Sequence, residues 1–390
     1  MKKKQILFLC SNMSVGGFQK SLVSLLQCFN YDKYDVDLLL LNPSGIFMDL
    51  IPKQVKILDT IIEPKYFDSC GTAVKEMLRK HRIGKAVIRL LSGVVWIFDK
   101  GYGAILMSKA VPKLKKHYDA AIDYNGQHLL YYMIDSVNAD KKITYFHSDY
   151  NKWSYYKKAD RIYYKKADSI VTVSDLCVKS IQNNFPENRD KVYCIENIIS
   201  EKTVNIFKKN SNTYKDGFGG IRLVSVGRVC KDKGIDIASE ALKMLLKDGY
   251  NVKWYEVGPI ENQEYIDNLV SKYQINDRLV FLGPTNNPYD YMRNADIVVH
   301  PSRFEGKAVA VEEAKILNKP IVATNFSTVY NQIENERTGL IVDMNAESLY
   351  NGIKRMIDDN ELRNRIIETQ KKECKGNENE VEKLYKLIEG

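Results

Sequence analysis

A chain of 390 residues is too long for one ordinary core, because domains cluster at roughly 100–200 residues, so two domains are expected. Apolar residues at 44% and charged residues at 27% match the globular average and exclude a disordered, collagen-like or coiled-coil chain. The net charge of +9 is carried by one half: residues 1–200 hold 30 Lys/Arg against 20 Asp/Glu, and residues 201–390 hold 28 against 29.

The first strand, Gln5–Cys10, follows Met1-Lys2-Lys3-Lys4 directly. Its apolar run is too short for a signal peptide, and a cytoplasmic protein is expected. Val36–Leu41, Val55–Leu58, Ala120–Tyr124, Ile143–His147, Ile170–Val173 and Val192–Ile195 follow as strands rich in β-branched and aromatic residues, alternating with helix-length segments. The second half repeats the pattern with Arg222–Val226, Val252–Val257, Leu279–Leu282, Ile297–His300, Ile321–Ala323 and Leu340–Val342. Helices Ala346–Asp358, Glu361–Lys372 and Glu378–Glu389 close the chain. Repeated βα units of this kind predict an α/β protein with two Rossmann-like parallel-sheet domains. A polar, Gly-rich stretch from Ser200 to Gly220 marks the linker.

Residues 65–117 hold twelve basic side chains against Asp68, Glu76 and Asp99. Lys80, Arg82, Lys85 and Arg89 are interleaved with apolar runs there, and Leu90–Phe98 is the longest uncharged stretch near the middle, far short of the roughly 18 residues of a spanning helix. Two readings stand: a solvated basic helix with its apolar face in the core, or a surface that meets anionic lipid. Nucleic acid is not expected, since no zinc-finger spacing or aromatic RNA-binding motif accompanies the charge. The seven cysteines are odd in number and none lies within four residues of another, so neither a disulfide framework nor a zinc knuckle is predicted.

Two segments carry chemistry. Pro301–Ala314 follows a strand, turns at Gly306 and becomes helical, placing Glu305 in the loop and Glu313 about two turns into the helix. The amides of Gly306, Lys307 and Ala308 would then form a positive helix N-terminus suited to a diphosphate. Upstream, Gly227-Arg228 and Lys233-Gly234 follow the first strand of the second domain. An arginine that forks onto phosphate oxygens and a lysine acting as a point charge are what a leaving diphosphate needs. The loop Gly283–Tyr289, at another strand end, is a candidate to line a base. Gly16-Gly17 before the helix Gln19–Phe29 allows close backbone approach, and His147 ends a middle strand. His300 is taken as structural.

With Glu305 and Glu313 separated by seven residues and a G-R-x4-K-G motif at Gly227–Gly234, the sequence resembles the family 4 retaining glycosyltransferases of the GT-B fold, which build bacterial capsules, exopolysaccharides and teichoic acids. The resemblance implies a nucleotide-sugar domain at 203–372. It also implies an acceptor-side domain at 1–202, joined by a C-terminal helix at about 373–390, with a cleft between the two. It implies that Glu313 holds the ribose hydroxyls and that Arg228 and Lys233 hold the diphosphate. Glu305 with Gly306, Lys307, Ala308 and Val309 would hold the donor sugar, the Gly16-Gly17 loop would approach the donor, and His147 would be the active-site histidine. Ala308 stands where many members have a second glycine, and Glu196-Asn197-Ile198 where they have P-N-G.

The expected reaction is metal-independent, retaining transfer from a nucleotide-sugar, most commonly UDP-linked in the family, to a glycan or polyprenyl-linked acceptor. No cofactor is expected beyond the donor. An acceptor on a lipid diphosphate would put the enzyme peripherally on the inner membrane face, docked through 65–117. A nucleotide-sugar epimerase of the same shape and a non-catalytic membrane-docked scaffold are the alternatives. A dehydrogenase is disfavoured because no G-x-G-x-x-G follows either domain's first strand.

Overall fold

The computed structural model describes residues 2–14, 16–152, 156–206 and 213–390. Most of the polar run in the expected linker, residues 207–212, lies outside them. All thirteen expected strands form. The first seven are β1 (Lys4–Cys10), β2 (Tyr34–Leu40), β3 (Val55–Ile57), β4 (His117–Asp123), β5 (Asn138–Phe146), β6 (Ser169–Thr172) and β7 (Val192–Cys194). They make one sheet in the order β3-β2-β1-β4-β5-β6-β7, with every pair parallel.

The remaining six are β8 (Ile221–Val226), β9 (Val252–Val257), β10 (Leu279–Gly283), β11 (Ile297–His300), β12 (Ile321–Thr324) and β13 (Leu340–Val342). They form a second all-parallel sheet, β10-β9-β8-β11-β12-β13. Parallel strands are covered on both faces, so they read as continuous apolar runs: Ile6–Cys10 and Ile297–His300 are buried throughout.

The helices, in chain order, are α1 (Gly17–Cys28), α2 (Cys70–Arg79), α3 (Ile83–Phe98), α4 (Lys100–Ser108), α5 (His128–Ser136), α6 (Lys157–Tyr164), α7 (Asp175–Asn184) and α8 (Glu201–Ile206). They continue as α9 (Ile235–Lys247), α10 (Gln263–Tyr273), α11 (Pro288–Asn294), α12 (Val309–Ile316), α13 (Ala346–Asp358), α14 (Asn360–Glu373) and α15 (Val381–Glu389). Among the described residues none is long and apolar enough to cross a membrane.

The chain divides into two compact units. One comprises Met1–Ser14, Leu25–Glu196 and Asn379–Gly390, the other Val15–Ser24 and Asn197–Glu378. In the first, Leu7, Leu9, Leu39 and Ala121 of the sheet pack with Leu130, Tyr131 and Ile181 of its helices. The aromatic cluster of Phe29, Tyr34 and Tyr385 fastens α15 to the start of the sheet, and Tyr385 Oη accepts the Asn30 amide at 2.7 Å. In the second unit, Leu223, Trp254 and Val299 pack against Ala238, Leu242 and Ile353.

In each sheet the strand order reverses once, between β1 and β4 and between β8 and β11. Ligands of open parallel sheets bind at the carboxyl ends of strands beside such a reversal. The loops that follow β8 and β11 hold the two sequence motifs, so the topology brings them to one crevice.

The basic stretch folds as α2, α3 and α4, and here one expectation fails. The apolar side of α3 faces outward, while Ala86, Arg89 and Ser92 make its buried side. Arg89 donates to the carbonyls of Tyr66 and Asp68 at 3.1 and 2.7 Å, so it is a structural clamp and no docking charge. Trp96 stacks on His128 with ring centroids 5.7 Å apart, inside the fold.

Candidate functional site

Gly234 ends the loop after β8 with φ +75°, and a Cβ there would lie 1.9 Å from the Pro301 carbonyl oxygen. Only glycine permits both the left-handed turn and this approach, which seats the β8 loop on the β11 loop. Arg303 completes the seam: its amide donates to the Asp232 carbonyl at 2.9 Å, and its guanidinium forks onto Asp236 at 2.8 Å through each nitrogen. A fork–fork pair of this kind fixes orientation as well as distance.

At the centre of the seam Lys233 Nζ donates to Glu305 Oε1 at 2.5 Å, and His300 Nε2 stands 3.0 Å from the same oxygen. The Glu305 side chain is 14% exposed and that of His300 9%. Burial by itself would raise the Glu305 pKa. The Lys233 charge and the His300 hydrogen bond outweigh it and hold the carboxyl at about 2. Glu305 is therefore a fixed carboxylate at neutral pH, with a cation already on it. His300, expected to be structural, is its second partner.

The sign of the pH effect follows. A folded-state pKa below the ordinary 4.5 means that the cluster's stabilisation is complete above pH 4.5 and is lost as pH falls toward 2. The difference in Tm between the wild-type protein and Glu305→Gln is expected to hold constant above about pH 5 and to shrink as pH falls from 4.5 toward 2. A difference independent of pH would mean that the charge of Glu305 contributes nothing to the fold.

The helix after the loop begins at Val309, one residue later than three free amides would require. Glu313 consequently lies little more than one turn into α12, not two. The Ala308 amide is already bound by Gln332 Oε1 at 2.8 Å, while Gln332 Nε2 donates back to the Ala308 carbonyl at 3.0 Å. This corrects the expectation that Ala308 offers its amide to a diphosphate. Gly306 is buried and Lys307 half-buried in the same loop. Val309 packs against the second glycine of the Gly16-Gly17 pair, 3.6 Å from where a Cβ of Gly17 would stand. A Cβ at Gly16 would meet only the end of the Gln19 side chain.

Glu313 is almost fully enclosed, its side chain 1% exposed. Lys20, on the part of α1 that belongs to the second unit, reaches both carboxylate oxygens at 2.7 Å. Tyr289 Oη donates to Oε1 at 2.9 Å, and the Lys20 ammonium lies 4.9 Å from the centre of the Tyr289 ring. The loop read as lining a base thus supplies, through its last residue, a partner of Glu313. Burial and the adjacent carboxylate push the Tyr289 phenol well above its ordinary pKa, so it stays a proton donor. No sequence pattern announced Lys20, because its partner lies 293 residues away.

Arg228 is differently placed. It stands 3.4 Å from Glu261 in a pair with both members largely exposed, a contact worth little in water. Its guanidinium is thus loosely held at the rim of the crevice. His147 belongs to the first unit, where Nε2 lies 2.9 Å from the Tyr124 carbonyl and the ring stacks 5.4 Å from Tyr145. Facing a carbonyl acceptor, that nitrogen carries the proton.

A sheet reversal point lined by a lysine–glutamate–histidine cluster, a second carboxylate on the next helix and an arginine in an exposed ion pair is equipped to hold a polyanion and polar hydroxyls together. Residues 206–373 match the model of the family "Glycosyl transferases group 1". The capsular polysaccharide biosynthesis glycosyltransferase CapM of Staphylococcus aureus is 31% identical over 145 residues, 36% of this chain and 38% of that one. An N-acetylgalactosaminyltransferase of Campylobacter jejuni named for a diphospho-undecaprenol acceptor is 25% identical over 198 residues, 50% of this chain and 52% of that one. The matched stretches therefore span about a third to a half of these relatives. HepE of Anabaena, solved with UDP and glucose, superposes over 99% of this chain and 100% of its own with TM-score 0.71 at 16% identity. That likeness establishes the GT-B fold for the chain.

Proposed function

We propose that the protein is a retaining, metal-independent glycosyltransferase that moves a sugar from a UDP-linked donor to a glycan or polyprenyl-linked acceptor in bacterial surface polysaccharide synthesis. The observation that carries the reading is the Lys233–Glu305–His300 cluster at the reversal point of the second sheet, followed by Glu313 one helix turn on. The group 1 match supports transfer to an acceptor, and the retaining assignment rests on the resemblance of the Glu305/Glu313 and Gly227–Gly234 motifs. UDP is preferred because HepE, of the same fold, was solved with it. CapM and the Campylobacter relative point to a surface glycan and to a lipid-linked acceptor.

In this reading Arg228 swings from Glu261 onto the departing diphosphate, and Lys233, held by Glu305, offers it a second cation. Preorganised charge placed where negative charge grows lowers the barrier without reorganisation at the moment of reaction. Glu305 keeps Lys233 in position and presents its remaining lone pairs to the donor sugar. His147 supplies a polar ring to the acceptor side.

Incubation with radiolabelled UDP-sugars and a polyprenyl-diphosphate acceptor is expected to give labelled lipid and UDP, with the anomeric configuration kept. Conversion of the donor to an isomeric sugar without any acceptor would identify an epimerase instead, and absence of any donor turnover or binding would leave a scaffold. EDTA is expected to leave transfer unchanged, since side-chain cations neutralise the diphosphate. Complete loss on chelation, restored by Mn²⁺ or Mg²⁺, would overturn the metal-free assignment.

A further inference from the structure

The second unit holds a cavity of about 500 Å³ bounded by α9, α10 and the start of α13. That volume falls within the roughly 300–1,000 Å³ of small-molecule sites. Lys233, His300, Glu305 and Glu313 do not line it, so it is separate from the cluster described above. Its wall includes the Arg303–Asp236 fork, and it therefore borders the seam that seats the β8 loop on the β11 loop.

The lining mixes apolar, aromatic and polar groups. Ile237 and Leu269 are buried and give it apolar surface. Tyr265 and Tyr273, half-buried near the two ends of α10, contribute aromatic rings. Lys272 Nζ donates to Tyr273 Oη at 3.1 Å, and Tyr273 Oη donates to Glu240 Oε2 at 3.1 Å, so donor, hydroxyl and acceptor follow one another along the lining. Burial and the Asp236 carboxylate raise the Tyr265 pKa, and that phenol keeps its proton.

This mixture selects the ligand. Arg303 and Asp236 satisfy each other, which leaves Lys231 and Lys272 to set against Glu240. A compact polyanion would meet the Glu240 carboxylate. An apolar molecule would desolvate Glu240 and Lys272 and offer them no hydrogen bond in exchange. A sugar ring answers both objections, because its hydroxyls donate and accept and its C–H faces lie on aromatic and apolar side chains.

We propose that this cavity is a carbohydrate subsite, which holds a stretch of glycan chain apart from the nucleotide-sugar. The choice of a glycan rests on the surface-polysaccharide reading of the protein. A chain held at one point has its growing end kept at high effective concentration, without any tighter contact at the reacting sugar.

An immobilised array of bacterial surface polysaccharides and their oligosaccharides, probed with the full chain in saturating UDP, tests the subsite with the donor site filled. The wild-type protein is expected to bind at least one of these glycans. Tyr265→Ala/Tyr273→Ala should lower that binding about tenfold. Glu240→Ala/Lys272→Ala, at two exposed positions, should lower it about threefold, and it decides the matter if the tyrosine variant loses its circular dichroism. Binding to no glycan, or binding unchanged in the variants, overturns the proposal. So does release by inorganic phosphate as readily as by free oligosaccharide, which would mark an anion site. Failure of the transferase reading has another signature: no sugar leaves any UDP-linked donor, while glycan binding and its dependence on Tyr265 and Tyr273 persist.

Discussion

Glu305→Gln is expected to lower kcat for sugar transfer by about two to three orders of magnitude, the usual cost of removing one preorganised charge contact from a transition state. The substitution keeps the size of the side chain and removes its charge. Lys233 then loses the anion that holds it at 2.5 Å, and His300 faces an amide in place of a carboxylate. The donor KM should change far less, because Arg228 and Glu313 keep their own positions. Steady-state kinetics on a saturating acceptor separates the two parameters. A kcat within threefold of wild type would show that Glu305 only braces the loop. His300→Ala should fall between wild type and Glu305→Gln, since it removes one of the two partners and leaves the carboxylate paired with Lys233.

Much of this was legible in the sequence, and the reasons differ from element to element. Strands of a parallel sheet are short apolar runs closed by turn residues, so Val252–Val257 and Ile297–His300 show their bounds directly. β4 and β5 begin earlier than expected, at His117 and Asn138, because exposed or half-exposed polar residues (His117 and Asp119 around the buried Tyr118, and Asn138, Asp140, Lys141 and Lys142) interrupt the apolar run there. The glutamate pair and the glycine–arginine loop were visible as spacing. Their partners were not, since Lys20, Tyr289 and Gln332 meet them only through the tertiary fold. His300 had a signal that was passed over: it ends a buried strand five residues before Glu305, where a side chain can turn back onto the loop.

Helix α3 carries a different lesson. Its periodicity separates an apolar side from a side bearing Lys85, Arg89 and Ser92, but a moment does not say which side is inward. Arg89 is satisfied by two carbonyls, so the polar side is the buried one. Backbone acceptors supplied by Tyr66 and Asp68 decide the matter, and those residues lie on a different element.

Lys20→Met is expected to destabilise the second unit by about 3–5 kcal/mol, because it strands the Glu313 carboxylate in a site that is almost closed to water. The single hydrogen bond from Tyr289 cannot replace a cation touching both oxygens. Glu313→Gln should cost less, since Lys20 is the more exposed partner, at 11%, and the amide oxygen still accepts from Tyr289. The double variant Lys20→Met/Glu313→Gln should recover most of the loss, as both charges are gone and only neutral groups remain buried. Urea unfolding of the four proteins gives the coupling. Strict additivity of the two single effects would show that the pair is not energetically linked. The same variants bear on the ribose. A carboxylate has about four acceptor positions, of which Lys20 and Tyr289 take three, so the proposed ribose contact would have one position, on Oε2. Glu313→Gln should then weaken UDP binding about tenfold, the loss of one charge-assisted bond, and unchanged affinity by isothermal titration calorimetry would confine Glu313 to its ion pair.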